Sequence, residues 1–184
     1  MKKGGIGGAN TQTGLVFEGK TDIPTFIAKQ PGYTVIENDK KGVHNSRWIV
    51  MFNNNEVGEI FQKHGLYRYF DAIGYDYKRI LSKKLLPDDS IFVIMKNTIY
   101  IIEKKSQEVE GSVDEKLQTC DFKKKQYIKL FAPLNKEVEY AYLLRSSWFD
   151  KPQYKDVLDY VISVGCKYYF DYIPLEKLGL PIPH

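Results

Sequence analysis

Pro87-Asp88-Asp89 and Glu103-Lys104-Lys105 bracket two short apolar runs, and between them they supply acidic positions and a lysine at one end of a predicted β-hairpin. Carboxylates with spare lone pairs can hold a hard divalent cation such as Mg²⁺, which polarises a phosphoryl oxygen and lowers the pKa of a bound water. A lysine ammonium beside them can orient that water or offset charge developing on the phosphoryl oxygens. These are the parts that hydrolysis of a phosphodiester needs. The competing structural reading is that Asp88-Asp89 after Pro87 forms a turn and strand entry, and that Glu103-Lys104-Lys105 is a solvated strand end.

The hairpin decides which acids can meet. Ile91 to Met95 and Thr98 to Ile102 are rich in β-branched and aromatic residues, and Lys96-Asn97 reads as a two-residue connection. That turn pairs Met95 with Thr98, setting Asp88 opposite Lys105 and Ser90 opposite Glu103. Side chains alternate along a strand, so Asp88 shares a face with Glu103 and Lys105, while Asp89 and Lys104 face the other way. A three-residue turn would reverse the choice between Asp88 and Asp89.

Around this hairpin the chain alternates helical and strand patterns. Thr11 to Gln30 has a broad apolar helical face, with Pro24 kinking the helix or opening a second one capped by Asp22. Tyr33 to Glu37, Arg47 to Asn53 and Glu56 to Gln62 read as strands, the last two joined by an Asn-rich turn. His64 to Ile73 and Tyr75 to Lys84 read as short helices. Ser112-Val113-Asp114-Glu115 is a capping box opening a helix to about Phe131, ahead of Pro133. Lys136 to Leu144 is a strand, Val157 to Val164 a helix centre and Lys167 to Tyr172 a short aromatic strand. A helix between a hairpin strand and a new strand is a crossover, so the expected fold is α/β, with a mixed central sheet flanked by helices on both faces. The hairpin belongs at its centre. Phe92, Ile94, Ile99 and Ile101 give it one apolar face, and Ile91, Val93, Tyr100 and Ile102 the other.

Composition bounds the rest. The 184 residues are 43% hydrophobic and 14% aromatic, which suits one domain with a substantial core. Met1 to Asn10, with four glycines and two lysines, reads as a leader or as backbone able to approach phosphates closely. A formal charge of +4, from 27 Lys and Arg against 23 Asp and Glu, permits a polyanionic partner without requiring one. Cys120 and Cys166 have no metal-type spacing, no apolar signal segment opens the chain, and no apolar run is long enough to cross a bilayer. The expectation is a cytoplasmic protein with free thiols. His44, His64 and His184 are too scattered for a zinc site, and without a GxxxxGK[ST] loop the simplest nucleotide hydrolase is excluded.

The order of these features resembles the PD-(D/E)xK nuclease superfamily, and more narrowly its type II restriction endonucleases. Pro87-Asp88, Glu103-x-Lys105 and Glu18 match the motif. The stretches from Gly7 to Glu18 and from Gly111 to Thr119 are also similar to restriction-type members, so the likeness spans about residue 7 to at least 145. It implies a restriction-endonuclease-like core, Mg²⁺ held by Asp88 and Glu103, and Lys105 positioning or activating the attacking water. It further implies that Glu18 is the acid which many members carry on the first helix, its structural alternative being an exposed helix carboxylate. Lys116 and Gln118 lie where members place a polar residue facing the site, whereas Glu115 is better explained as the capping partner of Ser112.

Lys116, Lys123, Lys124, Lys125 and Lys129, interleaved with Phe122, Gln126 and Tyr127, suit phosphate contacts or a solvated helix face. Arg145 to Lys151 offers donors and the pair Trp148-Phe149, which could meet a groove or anchor the core. The functional expectation is a Mg²⁺-dependent endodeoxyribonuclease of the restriction type acting on double-stranded DNA as a homodimer. Alternatives are a repair or junction-resolving nuclease and a non-catalytic DNA-binding or interaction module of the same fold.

Overall fold

The computed structural model of the chain describes residues 14–16, 23–38, 47–105 and 113–183. The first pieces are β1 (Gly14–Val16) and α1 (Ile23–Ala28). The helix expected over Thr11 to Gln30 is therefore corrected: Gly14 to Val16 is a strand, and the helix described within that range is Ile23–Ala28. Pro24 occupies its first turn, where the missing N–H is not needed and the fixed φ suits the helix. The partner of β1 is β9 (Tyr172–Pro174), paired antiparallel with Leu15 opposite Ile173, far outside the window in which local periodicity can be read.

β2 (Tyr33–Glu37), β3 (Arg47–Phe52) and β4 (Asn55–Phe61) form an antiparallel meander, as their alternating sequences predict. Asn53 and Asn54 both take positive φ, 47° and 64°, closing the tight turn between β3 and β4. α2 (Gly65–Ala72) follows. The second helix expected over Tyr75 to Lys84 is reduced to a 3-10 turn at Tyr77–Arg79. Its aromatic residues instead pack locally: the Tyr67 and Tyr77 rings lie 4.9 Å apart, and those of Phe70 and Tyr75 5.1 Å apart.

β5 (Asp89–Val93) and β6 (Thr98–Lys105) make the central hairpin. Its tip differs from the expected two-residue turn: Val93, not Met95, pairs with Thr98. Ile94–Lys96 forms a 3-10 turn closed by Asn97 in the left-handed region at φ 49°, and Met95 is 74% exposed. Lengthening the loop by two residues on one strand moves the register by two. Parity is unchanged, so Asp88 keeps the face of Glu103 and Lys105.

The helix expected to run unbroken to Phe131 is two helices, α3 (Val113–Leu117) and α4 (Cys120–Phe131). At the break the Thr119 hydroxyl donates to the Lys116 carbonyl at 2.7 Å, a local bond that competes with helix continuation. The crossover returns the chain to β7 (Glu137–Leu144), parallel to β6 with Glu103 beside Tyr142. α5 (Ser146–Phe149) and α6 (Lys155–Ser163) then lead to β8 (Lys167–Phe170), parallel to β7. The final aromatic strand, expected to reach Tyr172, ends two residues early at Phe170. Asp171, at φ 54°, turns the chain into β9 and onto β1.

The seven-stranded sheet has the order β2-β3-β4-β5-β6-β7-β8, antiparallel up to β6 and parallel beyond it. It is a mixed α/β sheet with the hairpin inside it. Ile99, Ile101, Tyr140 and Tyr142 join Tyr67 and Phe70 of α2, Tyr127 and Leu130 of α4 and Val161 of α6 in one buried cluster. Ile91, Val93, Tyr100 and Ile102 join Ile23 and Ile27 of α1 with Ile173, Leu175 and Leu178 in the other. Each such side chain removed from water contributes about 1.5–3 kcal/mol, which fixes the facing of the hairpin.

Candidate active site at the open end of the hairpin

The open end of the β5–β6 hairpin lies where β6 and β7 finish. Glu103 and Lys105 point to the α4 side of the sheet, and Asp88 stands just before β5 on that same side. The Lys105 ammonium is 3.0 Å from Glu103 Oε2 and 4.0 Å from Asp88 Oδ2, so one cation pairs closely with Glu103 and lies within ion-pair reach of Asp88. The backbone N–H of Lys104 donates to Asp88 Oδ2 at 3.0 Å and orients it. Asp88 remains 44% exposed, against 7% for Glu103.

The two aspartates divide sharply. Asp89 faces the opposite side, 2% exposed, with the Lys104 ammonium 2.9 Å from Oδ2 and the Gln62 amide donating to Oδ1 at 2.8 Å. Burial raises its pKa above the ordinary value, with Lys104 and Gln62 opposing only part of the shift. Both of its oxygens are engaged inside the fold. Asp88 is the acid accessible to an external ligand.

Glu103 has a further partner. Lys123, on α4, places its ammonium 2.7 Å from both carboxylate oxygens. Burial alone would push the Glu103 pKa up, but the charges and hydrogen bonds of Lys105 and Lys123 outweigh it and hold the carboxyl below its ordinary value. Beneath the acid lie Tyr140 and Tyr142, both fully buried. Burial, reinforced by the Glu103 charge and by hydrogen bonding toward Tyr142 and Glu103, keeps the Tyr140 phenol protonated.

The donor set suits a small hard cation. Among the described residues no group of three or more His, Cys, Asp or Glu side chains converges on a common point. Two carboxylates are nevertheless what Mg²⁺ commonly takes from a protein, water and substrate phosphate supplying its other ligands. The Lys105 and Lys123 ammonium groups both pair with Glu103, and Lys105 also lies 4.0 Å from Asp88.

The other predicted positions scatter more widely. Glu18 lies outside the described residues, as do Ser112, His44 and His184. Lys116 is exposed on α3. Gln118 lines a cavity of about 550 Å³ with Gln153, Tyr154, Asp156, Val157 and Tyr160, a wall facing α6 and containing neither Asp88 nor Glu103. The Lys124 ammonium donates to the Gly165 carbonyl at 2.6 Å, and that of Lys125 to Asp121 at 2.7 Å. Arg145 follows β7, its backbone N–H donating to the Lys105 carbonyl at 3.3 Å, which brings it to the same end of the sheet. Phe149 is a core anchor, while Trp148 is half-buried with the Lys151 ammonium 4.7 Å from its ring centre. Cys120 and Cys166 are both free and buried.

Sequence reasoning missed the link between Lys123 and Glu103, and the role of Gln62. The second was recoverable: Phe61 pairs with Ser90, so the next residue of the β4 strand reaches Asp89. The first depended on the Thr119 break, which sets the rotation of α4. The chain matches no protein-family model, no curated protein and no solved structure.

Proposed function

We propose that this protein is a Mg²⁺-dependent endodeoxyribonuclease of the PD-(D/E)xK type, hydrolysing phosphodiester bonds of double-stranded DNA. The observation that carries the reading is the single Lys105 ammonium shared by Asp88 and Glu103 at the end of a central strand pair. Asp88 and Glu103 would hold the metal, which when bound supplies Lewis-acid polarisation of a phosphoryl oxygen and a more acidic water. Lys105 orients the attacking water and offsets negative charge as that water's oxygen bonds to phosphorus. The attacking water gives up a proton to solvent, the bond to the leaving oxygen breaks, and that oxygen takes up a proton from solvent. Tyr140 and Tyr142 keep the floor beneath Glu103 closed to bulk water. Lys116 and Arg145 lie on segments that could contact flanking phosphates.

The restriction-type assignment extends the resemblance noted for residues 7–18 and 111–119, and a homodimer is what cutting both strands of a two-fold site would call for. Purified protein should relax and linearise plasmid in Mg²⁺ but not in EDTA. Asp88→Ala, Glu103→Ala and Lys105→Ala should each lower the rate by about 10²–10³-fold or more while leaving the protein folded. Full activity of Glu103→Ala would overturn the assignment. A specific observation favours a second reading, a non-catalytic DNA-binding module: Glu103 is already neutralised by two ammonium groups. Such a module would bind duplex DNA equally well in EDTA and leave plasmid intact.

A further inference from the structure

Lys123 was expected among the phosphate-binding residues of a basic helix, yet it sits on the acid that a metal would need. Its ammonium holds both Glu103 oxygens at 2.7 Å, while the Lys105 ammonium stands 3.0 Å from Oε2. A divalent cation at those oxygens is repelled by the ammonium that already holds both of them, because the two positive charges meet across one carboxylate. The two lysines differ in their freedom to leave. Lys105 is fixed on β6 two residues from Glu103 and also faces Asp88, so it stays in the site wherever Glu103 turns. Lys123 comes from a different element, on a four-carbon stem, with its side chain 26% exposed at the edge of the pocket.

We propose that Lys123 is a displaceable internal cation that couples metal binding to polyanion binding at this site. In the resting protein it neutralises Glu103. When a phosphate chain lies across the end of the sheet, Lys123 transfers to a phosphate oxygen and Glu103 becomes available to the metal. The exchange keeps every charge paired, which a buried carboxylate requires. Lys123 is thus a positioning residue that governs when the site loads. Because coupling between two ligands is reciprocal, the metal strengthens duplex binding by the same factor that the duplex strengthens metal binding. The proposal rests on the nuclease reading, and it has a readout separate from cleavage.

The test is calorimetric titration of the full chain with Ca²⁺, with and without a short DNA duplex, for the wild type, Lys123→Met and Lys123→Gln. Lys124→Met serves as a control that removes a neighbouring charge not bound to Glu103. In the wild type the duplex should tighten Ca²⁺ binding by about 10-fold, within the usual range of coupling between sites. Lys123→Met should bind Ca²⁺ about 10-fold tighter without DNA and gain little from adding it. Lys123→Gln should fall between, and the Lys124→Met control should follow the wild type. Glu103→Gln should lose the tight site in every background. Unchanged or weaker Ca²⁺ binding by Lys123→Met, or an equal gain in the control, would overturn the proposal. If the wild type binds Ca²⁺ with duplex and cleaves in Mg²⁺ while Lys123→Met changes nothing, only the coupling fails. If no variant binds Ca²⁺ with duplex and the wild type does not cleave, the nuclease reading fails with it.

Discussion

Neighbouring residues within Asp88-Asp89 and Glu103-Lys104-Lys105 face opposite sides of the sheet, and the two buried acids among them, Asp89 and Glu103, are shifted in opposite directions. Glu103 is held below its ordinary value of 4.5, so the stability it contributes is present above that value and is lost as pH falls through the depressed folded value. Asp89 is held above its ordinary value of 3.8, so its contribution is full below 3.8 and is lost as pH rises through the raised folded value. Urea midpoints measured across the acidic range should separate the two. Glu103→Gln should reduce the loss of stability on acidification, whereas Asp89→Asn should gain on the wild type as pH rises from 3.8. An Asp89→Asn profile parallel to the wild type would show that Lys104 and Gln62 fully offset the burial of that carboxylate. Cleavage should be insensitive to Asp89→Asn so long as the protein folds, since its side chain faces away from the Asp88 carboxylate.

The elements hold these residues through register. Gly58 of β4 pairs with Val93, and a Cβ there would lie 2.6 Å from the Phe92 carbonyl oxygen, a contact that backbone cannot relieve without moving. Gly58→Ala should therefore push β4 away from β5 and cost about 1–3 kcal/mol, seen as a lower urea midpoint with an unchanged slope. A midpoint equal to the wild type would mean that the sheet tolerates the separation. Most strands were legible in the sequence because alternation and Asn-rich turns are local signals, as in Tyr33–Glu37 and the Asn53-Asn54 turn. The face shared by Asp88, Glu103 and Lys105 was legible even though the turn was misjudged, since a shift of two residues preserves parity. Ile94 and Met95 misled because apolar residues at a hairpin tip look like strand. The helix break at Thr119 and the Gly14–Val16 strand were not legible, the first resting on one side-chain hydrogen bond and the second on a partner at the far end of the chain.

At the scale of the whole molecule, the basic helix is less available to a polyanion than its composition suggests. Lys123, Lys124 and Lys125 each have a partner within the fold, whereas Lys116 and Lys129 are exposed. Duplex affinity should fall linearly with the logarithm of salt concentration, and Lys116→Ala should reduce the magnitude of that slope by about 0.9, the share of one phosphate contact. An unchanged slope would remove α3 from the proposed DNA-binding surface. Sedimentation with a palindromic duplex should show two protein chains per DNA if both strands are cut by one assembly. No helix among the described residues is long and apolar enough to cross a membrane.

The pairing of β1 with β9 also bears on the order in which the molecule comes together and apart. The hairpin with the candidate site closes over a few residues, but Leu15 and Ile173 can meet only after nearly the whole chain has been gathered in. A two-stranded ribbon of three residues a side has little cooperative support of its own. It should be the first piece to open in the native state, a latch at the back of the sheet whose amides exchange with solvent well before those of Ile101 and Ile102. The chemistry at the front would then outlast the opening of the latch, and mild denaturant should release the first long before it dims the second.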